Sequence, residues 1–157
     1  MTHRSRWIAA GLVFAIPAAI ILLGGGKAAG PESIRFGRDS CDRCHMLIAA
    51  GGFAAERRGR DAVLHKYDDV GCLLLALSAA HEETTQAWVE DHQGSGFVPL
   101  MEATLVRGGG GSTPMGYGIV AFRDPVAASR FAARGGGQIT RLEDLLRAGP
   151  QLAEDHR

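Results

Sequence analysis

Cysteine is scarce in this chain: three in 157 residues, Cys41, Cys44 and Cys72. A disulfide framework needs a larger, even set, so a stapled scaffold is excluded and at least one thiol is left for other chemistry. An excess of charge of either sign is missing too, since 17 basic residues balance 17 acidic ones. Arg4, Arg6 and Lys27 fall within the first thirty residues, which hold no acid. Without those three, 14 basic residues face 17 acidic ones, a net charge of about −3. No basic stripe remains to follow a phosphate backbone, which excludes nucleic acid as a partner. The glycine run at 108–111 is not followed by Gly-Lys-Ser, so no nucleotide fingerprint is present. There is no second Cys-x-x-Cys and no His-x-x-x-His to complete a structural zinc site. Support for a serine hydrolase or a carboxylate-pair enzyme is equally thin. Asp68-Asp69 stands at a strand-to-helix junction and reads as a helix start.

Apolar residues, at 46%, suffice for a core, although aromatics contribute only 6%. The chain opens with a basic stretch, 1–6, then an uncharged apolar stretch, 7–23, then small residues to Gly30. This order is that of an export signal. The apolar stretch, seventeen residues, is at the lower limit for spanning a bilayer, and Pro17 would kink it. Both cleavage after Ala28 or Gly30 and an uncleaved anchor fit. No cysteine lies in this part, so attachment through a lipoprotein cysteine is excluded. The basic end stays in the cytoplasm and the remainder is exported, to the periplasmic side of a bacterial inner membrane or the soluble periplasm. The expected organisation is therefore a signal or anchor at 1–30, a folded domain at 31–150 and a polar tail at 151–157.

The 22 glycines predict many tight turns in the exported part. Strands are expected at 33–36 and 53–57, a hairpin turn at 58–61, and a partner strand at 62–67. Asp68-Asp69 opens a leucine-rich helix at 70–80. A polar loop, 81–85, leads to a strand at 86–91, an extended piece at 97–100 and a strand at 101–107. The four glycines at 108–111 suggest a mobile loop, followed by a strand at 117–122. Asp124 is the expected N-cap of a helix at 126–134, with Pro125 in its first position and residues 135–137, all glycine, at its end. A strand at 138–140 and a short helix at 142–147 complete the chain. The fold class is α+β, built from two small related strand-and-helix halves, about 33–82 and 86–148. Each half presents a methionine at the start of its first strand.

Chemistry concentrates in Cys41-Asp42-Arg43-Cys44-His45-Met46. Four readings compete. Cys-x-x-Cys-His is the attachment pattern of c-type haem, with His45 as axial ligand and Met101 or Met115 opposite. Against it, small haem domains are mostly helical, whereas this chain reads as short strands. Zinc would need Cys72 and a histidine to complete the pair. A thioredoxin-like pair would open a helix beside a βαβ unit, which 33–52 does not suggest. Cu(I) needs only two or three soft donors, and thiols and thioethers on glycine-flanked loops suit loading and release. Met46 and Met115 both stand in polar, turn-like surroundings. Cys72, in an apolar helix, reads as a buried inert thiol. His65, His81 and His92 read as solvent-facing or hydrogen-bonded.

Three motifs together carry a resemblance. Cys41-x-x-Cys44-x-Met46, Tyr67-Asp68-Asp69-Val70-Gly71-Cys72 and Thr113-Pro114-Met115-Gly116, with Ala121-Phe122 and Gly135-Gly136 downstream, resemble the NosL family over most of the exported part. These are accessory copper proteins for nitrous oxide reductase assembly. The resemblance implies two small α+β halves akin to part of organomercurial lyase. It implies a Cu(I) metallochaperone, not an enzyme, that supplies the reductase's copper-sulfide centre. Its partners would be the reductase or its assembly machinery, a copper donor protein and, through the N-terminal segment, the membrane. Carried over by motif, Cys44, Met46 and Met115 are copper contacts, with Cys41 beside them. The family usually has glycine where this chain has His45, which adds a candidate nitrogen donor. The family's usual lipoprotein cysteine is absent.

Overall fold

The computed structural model describes residues 30–79 and 86–149. Among them are seven strands in two sheets and three helices. β1 (Ala55–Arg58) and β2 (Leu64–Tyr67) form an antiparallel hairpin, as the alternation there predicts. β3 (Gln86–Glu90) pairs with the free side of β1, and β4 (Phe97–Pro99) with β3, for the order β2-β1-β3-β4. In the second sheet β5 (Thr104–Arg107) lies between β6 (Ile119–Phe122) and β7 (Gln138–Thr140). The helices are α1 (Val70–Ala79), α2 (Pro125–Gly135) and α3 (Leu142–Arg147).

Strand periodicity sends alternate side chains to opposite faces. Ala55, Tyr67, Val89 and Val98 are matched across the first sheet and all are buried. The opposite face carries Glu56 against Lys66 and Trp88. α1 is buried from Val70 through Leu75, with no polar stripe, which is the pattern of a helix enclosed on all sides. It packs on β1, β2, β6 and α3. One core therefore unites Ala55, Tyr67 and Val89 of the first sheet, the face of α1, Leu105, Ile119 and Ala121 of the second sheet, and Leu145 of α3. A smaller cluster sits under α2, where Ala127, Ala128 and Ala132 meet Val106, Val120 and Phe122. His92 stands edge-on to Phe53, Phe122 and Phe131 there, and its Nδ1 lies 3.2 Å from the Gly52 carbonyl.

α2 follows its sequence signals. Asp124 accepts a hydrogen bond from Val126 N–H, Pro125 occupies the first turn, and Gly136 ends the helix at φ 73°. Other expectations need correction. Residues 33–36 form no strand, because among the described residues no strand pairs with them. A turn at 35–39 takes their place, with both Arg38 N–H and Asp39 N–H donating to the Arg35 carbonyl. The Asp39 carboxylate accepts from Arg35 and from Lys66 Nζ at 2.8 Å, and these cations hold it well below the usual carboxylate range. The expected strand at 101–107 begins only at Thr104, after a 3-10 turn at Leu100–Glu102. β3 and β4 belong to the first sheet, so the sheets divide between Pro99 and Thr104 and not at the break between 82 and 86.

The four-glycine loop does not stand free either. It packs backbone to backbone against the end of α2, where a Cβ on Gly135 would lie 1.7 Å from the Gly109 carbonyl oxygen. The expected signal or anchor (1–29), the 81–85 loop with His81, and the tail lie outside the described residues. Among the described residues no helix is long and apolar enough to cross a membrane.

Candidate metal centre

The loop 41–46 closes on itself through two hydrogen bonds. Cys41 N–H donates to the Met46 carbonyl at 2.8 Å and His45 N–H to the Cys41 carbonyl at 2.9 Å. This closure puts His45 at φ 63°, in the left-handed region. Glycine enters that region freely, whereas a side chain there costs about 1–2 kcal/mol. A glycine would take this backbone angle without that cost, which gives a physical reason for the glycine that the resemblance implies here. The His45 ring itself is exposed. Asp42 pins the loop to β2: its N–H donates to the Lys66 carbonyl, and its carboxylate takes Lys66 N–H and sits 3.0 Å from His65 Nδ1. Within this ring of contacts Cys41 is buried and Cys44 half-buried.

The second contribution comes from the β2–α1 junction. Asp69 is the α1 N-cap, with one carboxylate oxygen accepting from Gly71 N–H at 2.7 Å. Cys72 lies in the first turn and is buried. Asp68, also buried, accepts from the Cys44 thiol at 3.5 Å. The ligand atoms of Cys41, Cys44, Cys72 and Asp68 all lie within 4.8 Å of one another. Four donors about 2.3 Å from a tetrahedral ion stand about 3.8 Å apart, so the quartet, spread over up to 4.8 Å, would close on one ion with movements of up to about 1 Å. Cys72 is therefore not a thiol set apart in the core, and Asp68 does more than precede a helix. Both residues stand in the Tyr67–Cys72 motif at the mouth of α1, and that closeness in the chain was the signal that could have paired them.

The turn at 113–116 reaches the same place from the second sheet. Met115 N–H donates to the other oxygen of Asp69 at 3.0 Å. The Thr113 hydroxyl also hydrogen-bonds Asp69, and Gly116 N–H closes the turn on the Thr113 carbonyl at 2.9 Å. Tyr117 then lies on Gly71 so closely that a Cβ there would stand 2.3 Å from the ring. It also hydrogen-bonds Arg43 of the cysteine loop. Met115 is half-buried and packs on the core that includes Cys41 and Cys72. Of the five residues expected at the site, Cys41 and Cys44 join the cluster and Met115 packs on the same core. Met46, 55% exposed, and His45 remain on the outer side of the loop. Met101 is 80% exposed in the 3-10 turn. His65 and His92 are hydrogen-bonded, as expected.

The three thiols share charge unevenly. Hydrogen bonding from the Cys72 thiol, helped by backbone N–H groups of the loop, lowers Cys41 to about 6. Burial raises Cys44 to about 11. The hydrogen bond to Cys41 and burial together push Cys72 up strongly. The trio titrates as a unit, in which one early thiolate suppresses the next. Thiolate absorbance near 240 nm should therefore report one thiolate per metal-free chain at pH 8 and no second one until about pH 10 or above. Cys41→Ser should abolish the early step and leave no thiolate at pH 8, because burial still raises Cys44 and Cys72.

Three thiols, two of them buried, make a mainly soft-donor site, with the Asp68 carboxylate as one hard donor beside them. Haem attachment needs both sulfurs and the imidazole at one accessible face. Here the sulfurs converge inward with Asp68 while His45 faces out. The pair does not open a helix either, as a thioredoxin-type dithiol would. The zinc reading gains a fuller donor set than the sequence offered, since Cys72 and Asp68 complete four ligands.

The NosL family model matches residues 36–149. Among solved structures, the crystal structure of the copper chaperone NosL from Shewanella denitrificans has a TM-score of 0.62 to this chain and 21% sequence identity, covering 73% of this chain and 93% of that one. At that identity the likeness is one of fold. No curated protein matches the chain.

Proposed function

The chain belongs to the NosL family, and on that premise we propose that it is a Cu(I) carrier, a metallochaperone and not an enzyme. The observation that carries the reading is the cluster of Cys41, Cys44, Cys72 and Asp68, with Met115 packed on the core beside it. Copper here is cargo. Thiolates of Cys41, Cys44 and Cys72 would hold it, with the Met115 thioether closing the site from the second sheet. Met46, exposed on the same loop, would meet the ion as it enters or leaves. His45 is outside the set. In this reading the carrier takes copper from a donor protein and delivers it for the copper-sulfide centre of nitrous oxide reductase. It works at the periplasmic side of the inner membrane, with 1–30 as its signal or anchor.

Anaerobic Cu(I) titration against a chromophoric chelator tests the site. One Cu(I) per chain is expected. Met115→Ala should weaken it about tenfold, ~1.4 kcal/mol, while leaving the stoichiometry at one. Failure to take Cu(I) from the chelator, together with stoichiometric Zn(II) binding, would assign the quartet to zinc instead. Delivery is tested by copper transfer from the loaded chain to the metal-free reductase.

A further inference from the structure

One buried carboxylate ties the copper loop's neighbour to the methionine turn. Asp69 is fully buried, and its two oxygens serve different parts of the chain. One accepts from Gly71 N–H, which is ordinary N-capping. The other accepts from Met115 N–H, 46 positions away. Thr113, also buried, adds its hydroxyl to the same carboxylate and accepts Gly118 N–H at 3.2 Å.

Capping alone does not demand a carboxylate, since serine or asparagine caps as well. The second oxygen needs another reason. A methionine side chain is long and flexible, so its reach to an ion depends on where its backbone is held. No strand holds Met115: β6 begins only at Ile119. From these contacts we infer that Asp69 is a positioning residue, whose second oxygen fixes the 113–116 turn so that Met115 can close on the thiol cluster. It acts through Met115 and touches no ion itself. The copper part of this inference rests on the carrier reading; the anchoring of the turn does not.

Asp69→Ser separates the two duties. A serine hydroxyl still caps α1 but offers no second oxygen to Met115 N–H. Asp69→Asn is the companion variant: with its carbonyl on Gly71, its NH2 group faces the Met115 donor. Three readouts are taken on the full chain. Amide exchange at Met115, measured on metal-free protein, should quicken at least tenfold in Asp69→Ser. The Met115 methyl signal, labelled with 13C, should shift on adding Cu(I) to the wild type and no longer shift in the variant. Cu(I) affinity should fall about tenfold, matching Met115→Ala, and the double variant should fall no further.

A purely structural cap would instead lower the melting temperature without uncoupling Met115. Unchanged amide exchange and a retained methyl shift in a folded Asp69→Ser chain would overturn the inference. Should that chain fail to fold, the same result in Asp69→Asn would do so. If the wild type takes no Cu(I), the carrier reading fails, while the exchange measurement still decides whether Asp69 anchors the turn.

Discussion

Replacing Cys72 by serine lowers Cu(I) affinity about a hundredfold or more, ~3 kcal/mol, an effect as large as that of Cys44→Ser. Serine is close in size to cysteine, and its hydroxyl can still donate to the Cys41 sulfur as the Cys72 thiol does. The fold and the early ionisation of Cys41 should survive the change. What is lost is a soft donor within 4.8 Å of the other two thiols. Oxygen from a neutral hydroxyl is a poor ligand for Cu(I), so the ion is left with two thiolates and a thioether. Anaerobic competition with a chromophoric chelator reads the loss directly. A Cys72→Ser chain that holds copper within twofold of the wild type would return Cys72 to the role of core filler. Cys44→Ser supplies the internal scale, because Cys44 is the half-exposed member through which the cluster meets solvent.

Gly135→Ala is expected to destabilise the fold by about 3 kcal/mol, against the gain that helix propensity alone would suggest. In the interior of a helix, alanine is favoured over glycine by about 1 kcal/mol. At the last residue of α2 that gain is overridden. The added Cβ would lie 1.7 Å from the Gly109 carbonyl oxygen and 2.1 Å from its carbon. These are backbone atoms, so no rotamer change relieves the contact. Gly137 makes a second close approach, with its Cβ position 2.8 Å from Gly109 N. The loop 108–111 must separate from α2, and Phe131, which rests on Gly109, loses its seat. A fall of roughly 10 °C in the thermal midpoint, followed by circular dichroism, is expected for a domain of this size. Cu(I) affinity at low temperature should change little, because none of the clustered donors lies in α2 or the glycine loop. A raised midpoint would show that the glycine pairing is not a real constraint on the fold.

The two variants separate what local rules predict from what packing decides. Asp124, Pro125 and Gly136 marked the ends of α2 correctly, because capping and the left-handed stop depend on residues within one turn of each other. The hairpin of β1 and β2 and the start of α1 at Asp69 were legible for the same reason. The strand expected at 33–36 failed because a strand is made by its partner, and among the described residues none pairs there. The division into halves at 82–86 failed because pairing of β3 with β1 is a long-range choice. The loop 108–111, read as mobile from its composition, is held by glycines 25 or more positions further on.

By itself the sequence determined which chemistry was available: two thiols three residues apart, a thioether beside them and a Thr-Pro-Met-Gly turn, in a chain with too few cysteines for a scaffold. It also determined the α+β class, since periodicity and capping are written locally. Only the tertiary structure decided which donors meet. It brought Cys72 and Asp68 to Cys41 and Cys44, and it turned His45 outward through a left-handed backbone angle. It also spent both oxygens of Asp69, one on the helix that carries Cys72 and one on the turn that carries Met115. The reason is physical: a ligand set is defined by distances of a few ångströms between sulfur and oxygen atoms. Those distances arise when α1 is enclosed between two sheets, which no stretch of the chain encodes alone.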